Sequence, residues 1–572
     1  MFRNRTRLLA TGAFAAVFFV LPQSAVRADD ALDKALQNDS NWPMYGRTYD
    51  NQRFSPLKEI NDGNVGGLKL AWAFQVGALR SNEASPIVID GTMYVSSSSG
   101  PKAVYALDAK TGTLKWQFQP DVAEDVQPYV CCDVDSRGVS FADGKILFSQ
   151  LDGYLTALDA QTGKPVWKSK VVDYKDGETN TSPPLIVKNM AMIGFSGGEY
   201  GARGAIQAYD VATGKQLWKT WTIPGPGERG NDTWKGDSWQ HGGGAAWYVG
   251  SYDPKTNTAF YGTSNPGPWN GAVRSTGTSD LGKLTNAGSA STLAIDPDTG
   301  EIKWEIQSTA ADVWDYDGVN ELVLADVPVS GRDTPIYMKA DRNGFFFVAN
   351  RDTGTLLSAQ PFVPVNWAKG FDIETDRAIE DPAKRPRLDY KATDICPAWM
   401  GGKNWQPISF NPMTGLAYIP SNNMCQDMKL ADVEFRRGMF YLGNDTDVKP
   451  PTQAGPLGRL VAIDPTTQKT AWHLDLPLPW NGGTMTTAGN LVFFGDIQGV
   501  FHALDAKTGK ELWRMNLGSG IGAGPITFAV GGKQYVAVLA GRAEVPPAYM
   551  GEVGKKIIAA TPEGGTLFVF SL

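Results

Sequence analysis

One eleven-residue pattern governs what this chain can fold into. It reads ALDAKTGTLKW at 106–116 and returns as ALDAQTGKPVW (157–167), AYDVATGKQLW (208–218), AIDPDTGEIKW (294–304), AIDPTTQKTAW (462–472) and ALDAKTGKELW (503–513). Two weaker copies, VANRDTGTLLS (348–358) and SFNPMTGLAYI (409–419), fall between the fourth and fifth and bring the count to eight. Each copy joins an apolar run to a second run that enters on tryptophan, through an Asp or Asn turn closed by Thr-Gly. That is a β-hairpin with its turn chemistry written in. β-rich units recurring every ~40 to 50 residues predict blades around an axis. The expectation is an all-β, eight-bladed β-propeller over 29–572, a single domain in which Trp116, Trp167, Trp218, Trp304, Trp472 and Trp513 pack between neighbouring blades.

Residues 1–28 read as a secretory signal: Arg3, Arg5 and Arg7 precede an apolar run, and Val26-Arg27-Ala28 offers a small-residue cleavage site. The protein is therefore expected in the periplasm. No other stretch approaches the ~20 apolar residues of a membrane span, so no membrane anchor is expected. Losing the four signal arginines takes the formal charge from −7 to −7 − 4 = −11. A chain so acidic repels phosphate backbones, which excludes nucleic acid as a partner and favours a basic protein. Four cysteines, Cys131, Cys132, Cys396 and Cys425, predict two disulfides in an exported protein. No CxxCH motif is present, so a second redox centre would belong to another protein.

The repeats are unevenly spaced, and the longest insertions carry GERGNDTWKGDSWQHGGGAAW and YGTSNPGPWN. Propeller insertions usually emerge on one face, so function should be sought there. GSGIGA (518–523) matches a dinucleotide fingerprint in letters, but Pro525 and a β-rich continuation replace the helix that would hold a pyrophosphate. Three scattered histidines, His241, His473 and His502, do not predict a histidine metal site. Oxygen donors are better supplied: Glu199 in SGGEYG, Asn265 in TSNPGPW, and Asp315 and Asp317 in WDYDGVN, a set that suits a hard cation. In extended backbone Asp315 and Asp317 would point to one face, and the pair would need a proton or a cation between them.

Over nearly its whole mature length the chain resembles the quinoprotein alcohol dehydrogenases, periplasmic eight-bladed propellers that use pyrroloquinoline quinone (PQQ) and a metal ion. The resemblance rests on the tryptophan repeats, CCDVDSRG, SGGEYGARG, YGTSNPGPWN, WDYDGVNE, ADRNGFFFVANR and GGKNW. It implies that Glu199, Asn265, Asp315 and Asp317 hold the metal, with Asp315 as the base that takes the alcohol proton. In the calcium-dependent members the position of Asp317 is uncharged, whereas an aspartate there resembles the lanthanide-dependent methanol and ethanol dehydrogenases. Cofactor contacts carried over are Glu83, Arg137, Thr181, Ser196, Gly197, Gly198, Arg342 and Asn404, with Trp247 stacking on one face of the quinone. Cys131 and Cys132 would form a vicinal disulfide as the opposite plane, and Cys396–Cys425 an ordinary structural bridge. Arg342 would polarise quinone oxygens while hydride passes from the alcohol carbon to the quinone.

The resemblance implies oxidation of small primary alcohols, methanol favoured, with a soluble cytochrome c as electron acceptor. Trp269 and Trp480 are expected to restrict the substrate pocket. A calcium-dependent ethanol or broad-range dehydrogenase is the alternative within the family, and a non-catalytic cell-envelope propeller is the alternative outside it. Some relatives are homodimers, and no sequence feature selects between a monomer and a homodimer here.

Overall fold

A computed structural model describes residues 30–97, 104–329, 331–543 and 548–572. The expected signal, 1–28, lies outside the described residues. The molecule is all-β and built from four-stranded antiparallel sheets. Among the described residues eight sheets have four or more strands, accompanied by one of two strands and one of three. The first is typical: Ile87–Ile89, Thr92–Ser96, Val104–Asp108 and Leu114–Phe118 pair in sequence order.

The repeat occupies the third and fourth strands. In the first copy Asp108 Oδ1 accepts from the Thr111 amide at 2.9 Å and the Thr111 hydroxyl at 2.9 Å, and the Gly112 amide donates to Asp108 O at 2.8 Å. The same bonds recur at Asp159/Thr162, Asp210/Thr213 and Asp505/Thr508. The glycine that closes the turn is required twice over. Gly163 has φ +69°, and a Cβ there would stand 2.6 Å from the Trp116 ring. Trp116 Nε1 in turn donates to Ala160 O of the following sheet at 3.0 Å; Trp167, Trp218 and Trp472 repeat this bond to Val211, Pro297 and Ala506.

The copy at 409–419 behaves differently from the expectation. Ser409–Asn411 and Leu416–Asn422 are the first two strands of the sheet whose last two strands hold the 462–472 copy, so these two copies share one sheet. The Cβ position of Gly415 accordingly has nothing within 4 Å. The eighth sheet carries no copy. Lys69–Gln75 pairs antiparallel with Thr566–Ser571, joining the two ends of the chain and supplying Trp72, whose Nε1 donates to Ala109 O at 3.2 Å. Long-range pairing of that kind leaves no local sequence signature.

Antiparallel order also fixes where function can sit. The turns of the repeat join third to fourth strands and lie at one end of each sheet; the loops between second and third strands and the connections from one sheet to the next lie at the other. GSGIGA is one of those connections, running from Glu511–Asn516 to Ile526–Val530 without a helix.

Candidate active site

Every site residue named from the sequence lies at that second end. Glu83, Cys131, Cys132, Arg137, Thr181, Trp247, Asp315, Asp317 and Asn404 sit in connections that lead to the first strand of a sheet. Ser196, Gly197, Gly198, Glu199, Asn265 and Arg342 sit in loops between second and third strands. A cavity of about 90 Å³ opens between these loops. Its lining includes Glu83, Cys131, Cys132, Arg137, Thr181, Ser196, Glu199, Trp247, Arg342 and Asn404. Asn265, Asp315 and Asp317 are buried beneath Arg342 and Trp247; Gly197 and Gly198 shape the turn that carries Glu199.

At the floor, WDYDGVN is not a strand. Asp315 has φ +67°, so the alternation expected of extended backbone does not operate. The loop is instead held by Asp312, whose carboxylate accepts from the amides of Trp314 (2.9 Å) and Tyr316 (2.8 Å). Both expected carboxylates nevertheless converge, because Arg342 bridges them: Nη1 lies 3.0 Å from Asp315 Oδ2 and Nη2 2.9 Å from Asp317 Oδ2. Asp317 also accepts from the Asn265 amide at 2.6 Å and from Trp247 Nε1 at 3.0 Å. One carboxylate thereby fixes a candidate ligand, the indole and the guanidinium together.

Two buried oxygens at this floor, Asn265 Oδ1 and Asp315 Oδ1, have no hydrogen-bond partner. The Glu199 turn lies close to the Asn265 loop: a Cβ at Gly198 would stand 3.0 Å from Ser264 Oγ and 3.4 Å from Asn265 Oδ1. Burial, with the charge of Asp317, pushes Glu199 up to about 7. Burial raises Asp315 well above the carboxylate range against the pull of Arg342, and raises Asp317 against the same pull. Among the described residues the one trio of His, Cys, Asp or Glu ligand atoms within 4.8 Å of one another is Asp394, Cys396 and Cys425, whose sulfurs are joined to each other. Glu199, Asp315 and Asp317 are thus more open as a set, with Arg342 among them.

The walls follow the expectation from the cysteines. Cys131 and Cys132 are bonded to each other, Cys396 and Cys425 likewise, and no cysteine is free. At the far end Arg137 lies 5.0 Å above the Trp247 ring and 5.2 Å above the Trp405 ring, its Nη1 2.6 Å from the Thr181 hydroxyl and its Nη2 2.9 Å from Glu83. Ser196 pairs with Thr179 (Oγ–Oγ1 2.6 Å), and Asn404 Oδ1 accepts from the Trp405 amide at 2.9 Å. Trp480 lines the cavity as expected; Trp269 does not, but backs Trp399, which does, at 6.5 Å between ring centroids.

Several contributors escaped the sequence reading. Asp135, Trp399 and Trp405 line the cavity, and Asp133 binds Arg80 (2.8 Å) and the Ser81 hydroxyl (2.7 Å) just after the vicinal disulfide. Asp133 and Asp135 stood in the quoted CCDVDSRG and Trp405 in GGKNW, whereas Trp399 lay outside every quoted motif, and isolated acidic residues in a loop read as turn formers. Arg274, fully buried, donates to Pro268 O at 2.7 Å, to Asn286 Oδ1 at 2.6 Å and to Asp312 O, tying the Asn265 loop to the Asp315 loop. Arg274→Met leaves those acceptors unsatisfied and is expected to cost about 3 kcal/mol of stability in urea unfolding.

Residues 42–369 and 374–536 match the family model described as PQQ: Glucose/ethanol/alcohol dehydrogenase, beta-propeller domain. The chain is 41% identical to the lanthanide-dependent methanol dehydrogenase of Methylacidiphilum fumariolicum, over 100% of this chain and 98% of that one. It is 38% identical to the quinoprotein ethanol dehydrogenase of Pseudomonas aeruginosa, over 96% of this chain and 94% of the relative. The solved europium-containing methanol dehydrogenase superposes with a TM-score of 0.90 at 41% identity, covering 95% of this chain and 100% of that one.

Proposed function

The chain belongs to the PQQ-dependent alcohol dehydrogenase family, and on that premise we propose that it oxidises small primary alcohols, methanol first, to aldehydes at a lanthanide-type centre. Its eight larger sheets are read as eight blades of one domain, 29–572, with the repeat tryptophans packed between neighbours. The protein works in the periplasm and passes electrons to a soluble cytochrome c, since the chain has no haem-attachment motif of its own. Among the described residues no helix is long and apolar enough to cross a membrane.

The observation that carries this reading is Asp317, buried against Arg342, Trp247 and the Asn265 amide beside a second carboxylate. The residues present fit both groups. Unpartnered Asn265 Oδ1 and Asp315 Oδ1, with Glu199 and Asp317, offer three carboxylates and an amide to a hard cation, which matches a trivalent ion better than a divalent one. Trp247 and the Cys131–Cys132 ring would flank a flat quinone, while Glu83, Arg137, Thr181, Ser196 and Asn404, with Gly197 and Gly198 at the turn beside them, would meet its rim. Bound there, the two groups supply a Lewis acid and a two-electron acceptor.

The protein's own part is proton handling and positioning. Asp315, oriented through Oδ2 by Arg342, would take the alcohol's hydroxyl proton. Arg342, held above its usual range by Asp317, Asp315 and Glu199 although burial opposes its charge, draws Asp315 toward its ionised form without outweighing burial, and a cation bound at this floor would supply the remaining charge. Asp317 holds the Trp247 ring through Nε1 and so sets the plane against which a flat ligand lies.

Reconstitution tests the reading: the cofactor-free full chain with PQQ and either lanthanum or calcium, assayed by dye-linked oxidation of methanol and ethanol. Lanthanum-supported turnover that prefers methanol is expected; equal turnover with calcium would favour the calcium-type ethanol alternative. Trp399 lines the same cavity as Glu199 and Arg342. Trp399→Ala should therefore raise kcat/KM for butanol relative to methanol by at least ~10-fold, since pocket volume discriminates by roughly that much per methylene.

A further inference from the structure

Two residues that the proposed mechanism leaves unused adjoin the floor of the site. Lys339 is the penultimate residue of the strand Arg332–Ala340, and Asp341 follows that strand, immediately before Arg342. Both side chains are 1% exposed, and Lys339 Nζ lies 2.9 Å from Asp341 Oδ2. Neither oxygen of Asp341 makes a hydrogen bond among the described residues, so Asp341 supplies the ammonium with counter-charge rather than a directed bond. The directed bond runs from Lys339 Nζ to Gly318 O, at 2.9 Å.

Gly318 follows Asp317 in the chain. Lys339 therefore joins the same two stretches of chain as the 2.9 Å contact between Arg342 Nη2 and Asp317 Oδ2, just beyond the carboxylate at one end and just before the guanidinium at the other. Two further ties lie farther along the Asp317 loop: Asn320 Nδ2 donates to Ala340 O at 2.8 Å, and Glu321 Oε2 meets Lys403 Nζ at 2.8 Å. Asp341 acts on Asp317 as a like charge, which the neighbouring ammonium offsets. A buried ammonium–carboxylate pair is a poor source of stability, since uncharged side chains of similar volume often hold a fold as well or better. What such side chains lack is a donor aimed at Gly318 O.

We propose that Lys339 is a positioning residue for metal selectivity: by holding Gly318 O it keeps Asp317 in the donor set, and so secures the third carboxylate that favours a trivalent over a divalent cation. The proposal rests on the reading of this floor as the metal site. Without Lys339, Gly318 O is a buried acceptor that has lost its donor, and the peptide beside Asp317 is free to shift toward another one, while Asn320 and Glu321 still hold the rest of the loop. Removing a partner that orients a ligand from behind typically costs ~10- to 100-fold in metal affinity. The cost falls more heavily on the trivalent ion, because the attraction of each carboxylate scales with the charge of the cation.

The test is competitive dialysis of the full chain loaded with PQQ against lanthanum and calcium mixed over a range of ratios, with the metal content of the protein then measured by mass spectrometry. Lys339→Met should raise the lanthanum-to-calcium ratio needed for equal occupancy by at least ~10-fold. Lys339→Met/Asp341→Asn removes both charges with little change of volume, should show the same shift, and supplies the reading if the single variant does not fold. In an Asp317→Asn background, which has already lost the third carboxylate, Lys339→Met should shift the ratio no further. A shift that adds fully to that of Asp317→Asn, or no shift in either Lys339 variant, overturns the role of Lys339 while leaving the metal assignment standing. Failure of the unmodified chain to take up either metal, or a ratio that Asp317→Asn does not change, overturns the metal assignment and the role of Lys339 with it.

Discussion

Asp315→Asn should reduce alcohol oxidation by about 10³-fold, equivalent to ~4 kcal/mol of transition-state stabilisation, on protein shown still to carry quinone and metal. The substitution keeps the shape of the side chain and the oxygen facing Arg342, but removes the group that can accept the hydroxyl proton. Asp315 suits the role because one of its oxygens, Oδ2, is committed to Arg342 while the other is buried and unpartnered. The loss should fall on kcat, with KM for methanol little changed, because the proton is taken in the reaction and not on binding. Retention of more than a tenth of the activity would move the base elsewhere.

Asp317→Asn tests the metal assignment and should show the second largest effect. Lanthanum-supported activity is expected to fall at least ~10²-fold while calcium-supported activity stays level or rises, since a buried site that loses one of its three carboxylates holds a trivalent ion less well. The asparagine is isosteric but must turn its NH2 toward one of the donors that Asp317 accepts from, so some local destabilisation affecting both metals alike is expected. The ratio of the two activities is the readout, because a purely structural fault at a residue that also holds Asn265, Trp247 and Arg342 would depress both metals together. An unchanged ratio would remove Asp317 from the metal site.

The candidate site was legible where the sequence carries dense, unusual chemistry. Adjacent cysteines, a tryptophan outside the repeat, and acidic residues in the insertions pointed to Cys131, Cys132, Trp247, Glu199, Asp315 and Asp317, and the structure gathers all of them around one cavity and its floor. The reason offered for Asp315 and Asp317 did not survive. They meet because Arg342 reaches both and because Asp315 adopts a left-handed backbone, not because they alternate along a strand. Asp135, Trp399, Trp405 and Arg274 were not legible, since nothing about a lone acid, indole or arginine says what will stand opposite it.

Turn chemistry is local, so the all-β class, the recurring hairpin and the family were legible in the residues alone, whereas the count of sheets was not, since two copies fall in one sheet and another sheet has none. An Asp accepting from the amide and hydroxyl of a Thr three residues on, followed by a glycine at positive φ, specifies a hairpin wherever it occurs, and its recurrence specifies a ring of similar sheets. Tertiary structure alone decided that the 409–419 hairpin joins the sheet of 462–472, that Lys69–Gln75 completes the last sheet, and that one arginine sits between two aspartates while another sits between two carboxylates. Apart from Asp135 and Arg137, which share one loop, those pairings link residues distant in the chain. Their energies depend on burial and on which charges end up within about 3 Å of one another, quantities that do not exist until the sheets have packed.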